Sequence, residues 1–110
     1  MAKNLALTDT VTIASAGTTS TSLTMSRGRV PVAVLTPSAL TGTSFTFQAS
    51  VDGTNFYDLY NGSSSYSVTV AASRYVALNP DVFQGVQYVR LVSGSSEAGS
   101  RTIYVISGEL

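Results

Sequence analysis

Thr43-Ser44-Phe45-Thr46-Phe47-Gln48-Ala49-Ser50-Val51-Asp52-Gly53 is the stretch whose reading decides the fold class. Phe45, Phe47, Ala49 and Val51 alternate with Ser44, Thr46, Gln48 and Ser50. Successive side chains of an extended strand point to opposite faces, so this period of two predicts a β-strand with one apolar and one polar face. Asp52-Gly53 then stops the strand, because glycine takes the positive φ of a tight turn without steric cost. Phe56, Tyr57, Leu59 and Tyr60 resume as the returning strand.

The pattern extends in both directions. Over 5–14, Leu5, Leu7, Val11 and Ile13 alternate with polar residues, and a Ser/Thr-rich loop containing Gly17 follows over 15–22. Leu23 and Met25 mark a second short strand, and Val30, Val32 and Val34 a third. Pro31 has no N–H to give a ladder, which predicts an edge strand or a strand start there. Further strands are expected around Tyr66, Val68 and Val70, then over 74–78, 86–92 and 101–106. Asn79-Pro80 reads as the cap and first residue of a single helical turn, and 94–100 as a flexible hairpin tip. No stretch carries the 3.6-residue period of an amphipathic helix. About eight short antiparallel strands at this spacing predict an all-β chain. The expected architecture is a single β-sandwich or jelly-roll-like domain over 1–110, with 1–10 as an extended N-terminal arm.

Composition narrows the chemistry. The chain has no histidine and no cysteine, so the usual neutral-pH base, the commonest metal ligand and all thiol chemistry are missing. Six basic residues balance six acidic ones, and charged residues are 11% of the chain against a typical ~25%. Seventeen serines and fourteen threonines take their place. Such a surface has little electrostatic attraction for nucleic acid or anionic lipid, so neither is an expected partner. The longest apolar run, over 30–35, is far short of the ~20 residues of a membrane span. Thr8, Asp9, Thr10 and Thr12 interrupt any hydrophobic core of a signal peptide, which leaves the cytoplasm as the expected place of synthesis.

No nucleotide-binding loop, nucleophile elbow or calcium-loop motif is present. Asp52 and Asp58 flank one hairpin, but calcium takes six or more oxygens, and an Asp-Gly turn plus a solvated strand residue explain both. Asn61-Gly62-Ser63 fits a glycosylation pattern and equally an Asn-Gly turn. The expectation is therefore a non-enzymatic protein with no cofactor and no metal, whose binding candidates are Arg27 and Arg29 around Gly28, with Tyr57 and Tyr60. The six tyrosines suit interfaces, although most are expected to be half-buried strand residues. Tyr57 and Tyr60 fall on opposite faces of any regular strand.

One order of residues is more specific. The strand, Asp52-Gly53 turn and aromatic return are followed by Ala77-Leu78-Asn79-Pro80-Asp81-Val82-Phe83-Gln84-Gly85-Val86-Gln87-Tyr88-Val89-Arg90-Leu91-Val92-Ser93-Gly94. This C-terminal 60% or so of the chain resembles a group of small virion structural proteins of tailed bacteriophages. The resemblance implies a sandwich or jelly roll that decorates or cements the exterior of the icosahedral capsid. It further implies the major capsid protein as partner and a homo-oligomer, dimer or trimer, since closed symmetry suits capsid axes. The same strand-turn-aromatic element also resembles glycan- or receptor-binding tail modules.

Overall fold

The computed structural model describes residues 6–25 and 28–109. The alternating stretch forms β4 (Ser44–Ser50), with Phe45 and Phe47 buried. Before it come β1 (Leu7–Ile13), β2 (Leu23–Thr24) and β3 (Arg29–Leu35). After it come β5 (Tyr57–Asp58), β6 (Tyr60–Asn61), β7 (Ser64–Ser65), β8 (Ser67–Thr69), β9 (Tyr75–Ala77), β10 (Tyr88–Ser93) and β11 (Arg101–Glu109).

All pairings are antiparallel. One sheet runs β1-β11-β3-β9; the other runs β2-β10-β4, with β5 and β8 sharing the far side of β4. Set aside β5 and the small β6–β7 hairpin, and the chain crosses between sheets at every connection except β4 to β8. That strand order is a jelly roll. The expected class therefore holds, with 57–65 as an excursion from the jelly-roll path.

The core lies between the sheets. Val11, Ile13, Val30, Val34, Ile103 and Val105 come from one sheet, and Phe45, Phe47, Val89 and Leu91 from the other. A 3-10 turn, Pro80–Phe83, closes one end, and Asn79 caps it by accepting from the Asp81 N–H. Its buried Phe83 meets Phe47 edge-on at 5.1 Å and Tyr66 at 5.6 Å. The Tyr66 hydroxyl accepts from the Asn79 N–H at 2.9 Å, so the aromatic that packs the core also anchors the turn.

Three expectations need correction. Pro31 lies in β3, an interior strand, where β3 and β11 slip register: Ile106 pairs with Ala33 but Ser107 pairs with Pro31. A bulge removes the need for a ladder donor, so proline is tolerated there away from an edge. Val51 leaves the apolar face and is 78% exposed. The strand ends one residue earlier because the Ser50 hydroxyl turns back to accept from the N–H groups of Asp52 and Gly53. The 94–100 connection is pinned rather than free, since Glu97 is only 1% exposed. Of the expected N-terminal arm, 7–10 belong to β1 and pair with β11; residues 1–5 lie outside the described residues.

Candidate interaction surfaces

The tyrosines separate into two kinds. Tyr66 serves the core, and Tyr88 packs beside Gly53, where a Cβ would sit 3.3 Å from its ring. Tyr57, Tyr60, Tyr75 and Tyr104 are exposed, which overturns the expectation that most are half-buried. Register aligns two of them. Thr10 pairs with Tyr104, Tyr104 with Leu35, and Leu35 with Tyr75, so one row crosses the outer face of the β1-β11-β3-β9 sheet. Both ring systems in that row reach solvent, with a half-buried leucine between them. The sequence held the residues but not the register that aligns residues 35, 75 and 104.

Tyr57 and Tyr60 belong to separate ladders, β5 on β4 and β6 on β7. Tyr57, 71% exposed, lines a surface groove together with Ala49, Ser50, Val51, Gln84, Gly85 and Val86. The groove has about 220 Å³ of free space and is mostly apolar. Beside it, the outer face of the second sheet carries a polar row. Arg90 Nε donates to Gln48 Oε1 at 2.8 Å, and Gln48 Nε2 donates to Asp58 Oδ1 at 3.0 Å. The Arg90 guanidinium lies 4.2 Å from the centre of the Phe56 ring, a cation–π contact.

Of the two arginine candidates, one is described. Arg29 begins β3 half-buried and folds onto β11, donating to the Ser107 carbonyl at 3.1 Å. Arg27 lies outside the described residues. Asp52 and Asp58 likewise have separate duties. Asp52 Oδ1 accepts from the N–H groups of Asn55 and Thr54 and from the Ser50 hydroxyl, while Oδ2 accepts from the Asn55 side chain. The Asn55 and Thr54 N–H groups chiefly hold its carboxyl well below the usual carboxylate range.

The residue that the sequence reading overlooked is Glu97. Its Oε1 accepts from the Thr41 N–H at 2.8 Å and from Arg101 Nε at 2.9 Å. Its Oε2 accepts from the Gly42 N–H at 2.9 Å and from Ser93 Oγ at 2.8 Å. Its backbone bonds Ala16 and Gly17. Three separated segments are thus clasped by one residue. Burial alone pushes the carboxyl up; the Thr41 N–H, Ser93 hydroxyl, Arg101 and Gly42 N–H outweigh it and bring the pKa down to about 2. No sequence motif marks this role, because every group but Ser93 and Arg101 comes from distant backbone. Among the described residues, no three acidic groups converge as a metal site.

No family model and no curated protein matches the chain. Among solved structures it is similar to the SPBc2 prophage-derived protein YomS, with a TM-score of 0.55 and 15% identity over 97% of each chain. A chain of the Bacillus endospore appendages, disulfide-linked pili, matches at a TM-score of 0.38 and 14% identity, over 99% of this chain and 92% of that one. The Yersinia pseudotuberculosis-derived mitogen matches at 0.39 and 10% identity, over 96% and 86%. What these identities establish is a shared fold with the first; the two lower scores carry no argument.

Proposed function

We propose that this chain is a non-enzymatic structural protein of a phage virion, which decorates or cements the capsid exterior by bridging major capsid protein subunits. The observation that carries the reading is the surface. It is nearly free of net charge, and it has exposed tyrosines aligned across one sheet face. Tyrosine supplies contact area at low entropic cost, and association through it depends little on salt. Support also comes from the prophage origin of YomS, which shares the fold end to end.

A filled capsid is under internal pressure, and its seams between capsomers are where it parts. A small rigid sandwich seated across a seam adds contact area there, and many weak contacts to one lattice sum to a strong one. The proposal includes a dimer or trimer on a capsid axis, synthesis in the host cytoplasm, and no nucleic acid or membrane partner. Quantitative mass spectrometry of purified particles tests it. A copy number comparable to the major capsid protein is expected, and absence from particles rejects the reading.

The groove beside Tyr57 favours a second reading, a glycan- or receptor-binding module of a tail. An aromatic wall next to a concave apolar surface is the geometry on which a sugar ring stacks. The two readings part on isolated protein: a sugar binder lights up a glycan array alone, whereas a cement protein binds only assembled shells.

A further inference from the structure

Backbone groups along an antiparallel strand face its two sides alternately. Thr12 sets the phase for β1. Its carbonyl accepts from the Thr21 N–H at 2.9 Å and its N–H donates to Thr21 Oγ1 at 3.0 Å, both on the side away from β11. Thr8 and Thr10 share that phase, so their N–H and C=O groups point outward, beyond the cover that Ser20 and Thr21 give to Ile13 and Thr12, and no described residue pairs with them there. The remaining edge strands, β2, β5, β8 and β9, are two or three residues long, against seven for β1.

We infer that this free edge of β1 receives an extended segment of another protein, paired antiparallel over Thr8 to Thr10 with a basic side chain opposite Asp9, and that it does not receive a second copy of this chain. Strand addition at a sheet edge is a general recognition mode in which backbone bonds hold the segment and alternate side chains select it.

Register excludes the second copy. Two-fold pairing must set outward residues against outward residues. Thr8 opposite Thr10 brings two Asp9 carboxylates face to face in a non-hydrogen-bonded pair, where side chains lie closest. Thr10 opposite itself sets Thr12, already bonded to Thr21, against Thr8 of the other copy. Thr8 opposite itself sets Leu7 against Asp9 of the other copy, an apolar side chain against a carboxylate in a non-hydrogen-bonded pair.

Asp9 also selects the occupant that does fit. It is exposed, and it makes no ion pair among the described residues. An acidic side chain on an edge repels acidic and self-pairing strands; a lysine or arginine opposite it is drawn in instead. A segment with alternating hydroxyl or β-branched residues around one basic residue therefore matches this edge. The inference does not depend on that segment belonging to a capsid protein.

The test uses the full chain and two synthetic pentapeptides, Val-Thr-Lys-Thr-Val and the same with Glu at its centre, which span only Leu7 to Val11, followed by amide NMR. The Lys-centred peptide is expected to shift the Thr8 and Thr10 amides and slow their exchange, and to bind about fivefold tighter than the Glu-centred one. Asp9→Lys is expected to reverse that preference, a result no fold defect produces. Thr10→Pro removes an outward N–H that lies outside the β1–β11 ladder, so it abolishes binding and leaves the thermal midpoint near its original value. Equal binding of the two peptides overturns the inference, as does the absence of shifts at Thr8 and Thr10 up to about 5 mM peptide. So does a sedimentation dimer that Thr10→Pro splits.

Discussion

Asp52 and Glu97 are both carboxylates that organise a loop through four or more hydrogen bonds, yet they draw their partners from opposite ends of the sequence scale. Every Asp52 partner lies within three residues, in a turn open to water. Glu97 takes two of its donors from residues 55 and 56 positions away, in a site shut off from water. Local partners close a turn that forms at little entropic cost. Distant partners tie three segments together and exist only after the sandwich has assembled. The same functional group thus makes a small, autonomous contribution in one place and a large, conditional one in the other.

That contrast is open to direct attack. Glu97→Ala leaves the buried Gly42 N–H, the part-buried Thr41 N–H, a serine hydroxyl and Arg101 without their acceptor, and is expected to destabilise the fold by about 3–5 kcal/mol, read from denaturant midpoints. Acid provides a second approach. The folded pKa of Glu97 lies below its ordinary 4.5, so its stabilisation is complete above pH 4.5 and drains away as pH falls toward about 2. The loss is expected to approach about 3 kcal/mol, and Glu97→Gln is expected to flatten that part of the stability–pH curve while lowering stability at neutral pH.

Gly42→Ala sharpens the comparison from the backbone side. A Cβ there collides with Ser93 Oγ and crowds Glu97 Oε2 at 3.2 Å, so a loss of about 2 kcal/mol is expected. Asp52→Ala is expected to cost much less than Glu97→Ala, because its turn is exposed and water replaces the lost acceptor; a loss equal to that of Glu97→Ala would erase the distinction. Smallest of all, Tyr75→Ser and Tyr104→Ser are expected to move stability by less than about 0.5 kcal/mol and, on the proposed function, to weaken attachment to assembled shells.

Much of the fold was legible in the residues. Alternation around Phe45 and Phe47 located β4, and Asp52-Gly53 located its turn, since φ at Gly53 is +80° and the capping groups are adjacent in sequence. Asn79-Pro80 located the 3-10 turn for the same reason. The errors share a cause. The place of Pro31 depends on a bulge, which is a relation between β3 and β11 absent from either strand alone. In 94–100, Gly, Ser and Ala carry no sign of the buried site that Glu97 enters. Of the binding candidates, Tyr57 lines a groove and Tyr60 is exposed on its own hairpin, while Arg29 is occupied with β11.

By itself the sequence determined the all-β class, the turn positions and the lack of histidine and cysteine, because strand period, turn geometry and composition are local properties. Tertiary structure alone decided which strands are neighbours. It therefore decided that Tyr104, Leu35 and Tyr75 share a row, that Thr8 and Thr10 face outward from an open edge, and that a lone glutamate closes the sandwich. Each of these depends on register between distant segments, and register is set by burial of the whole core at once.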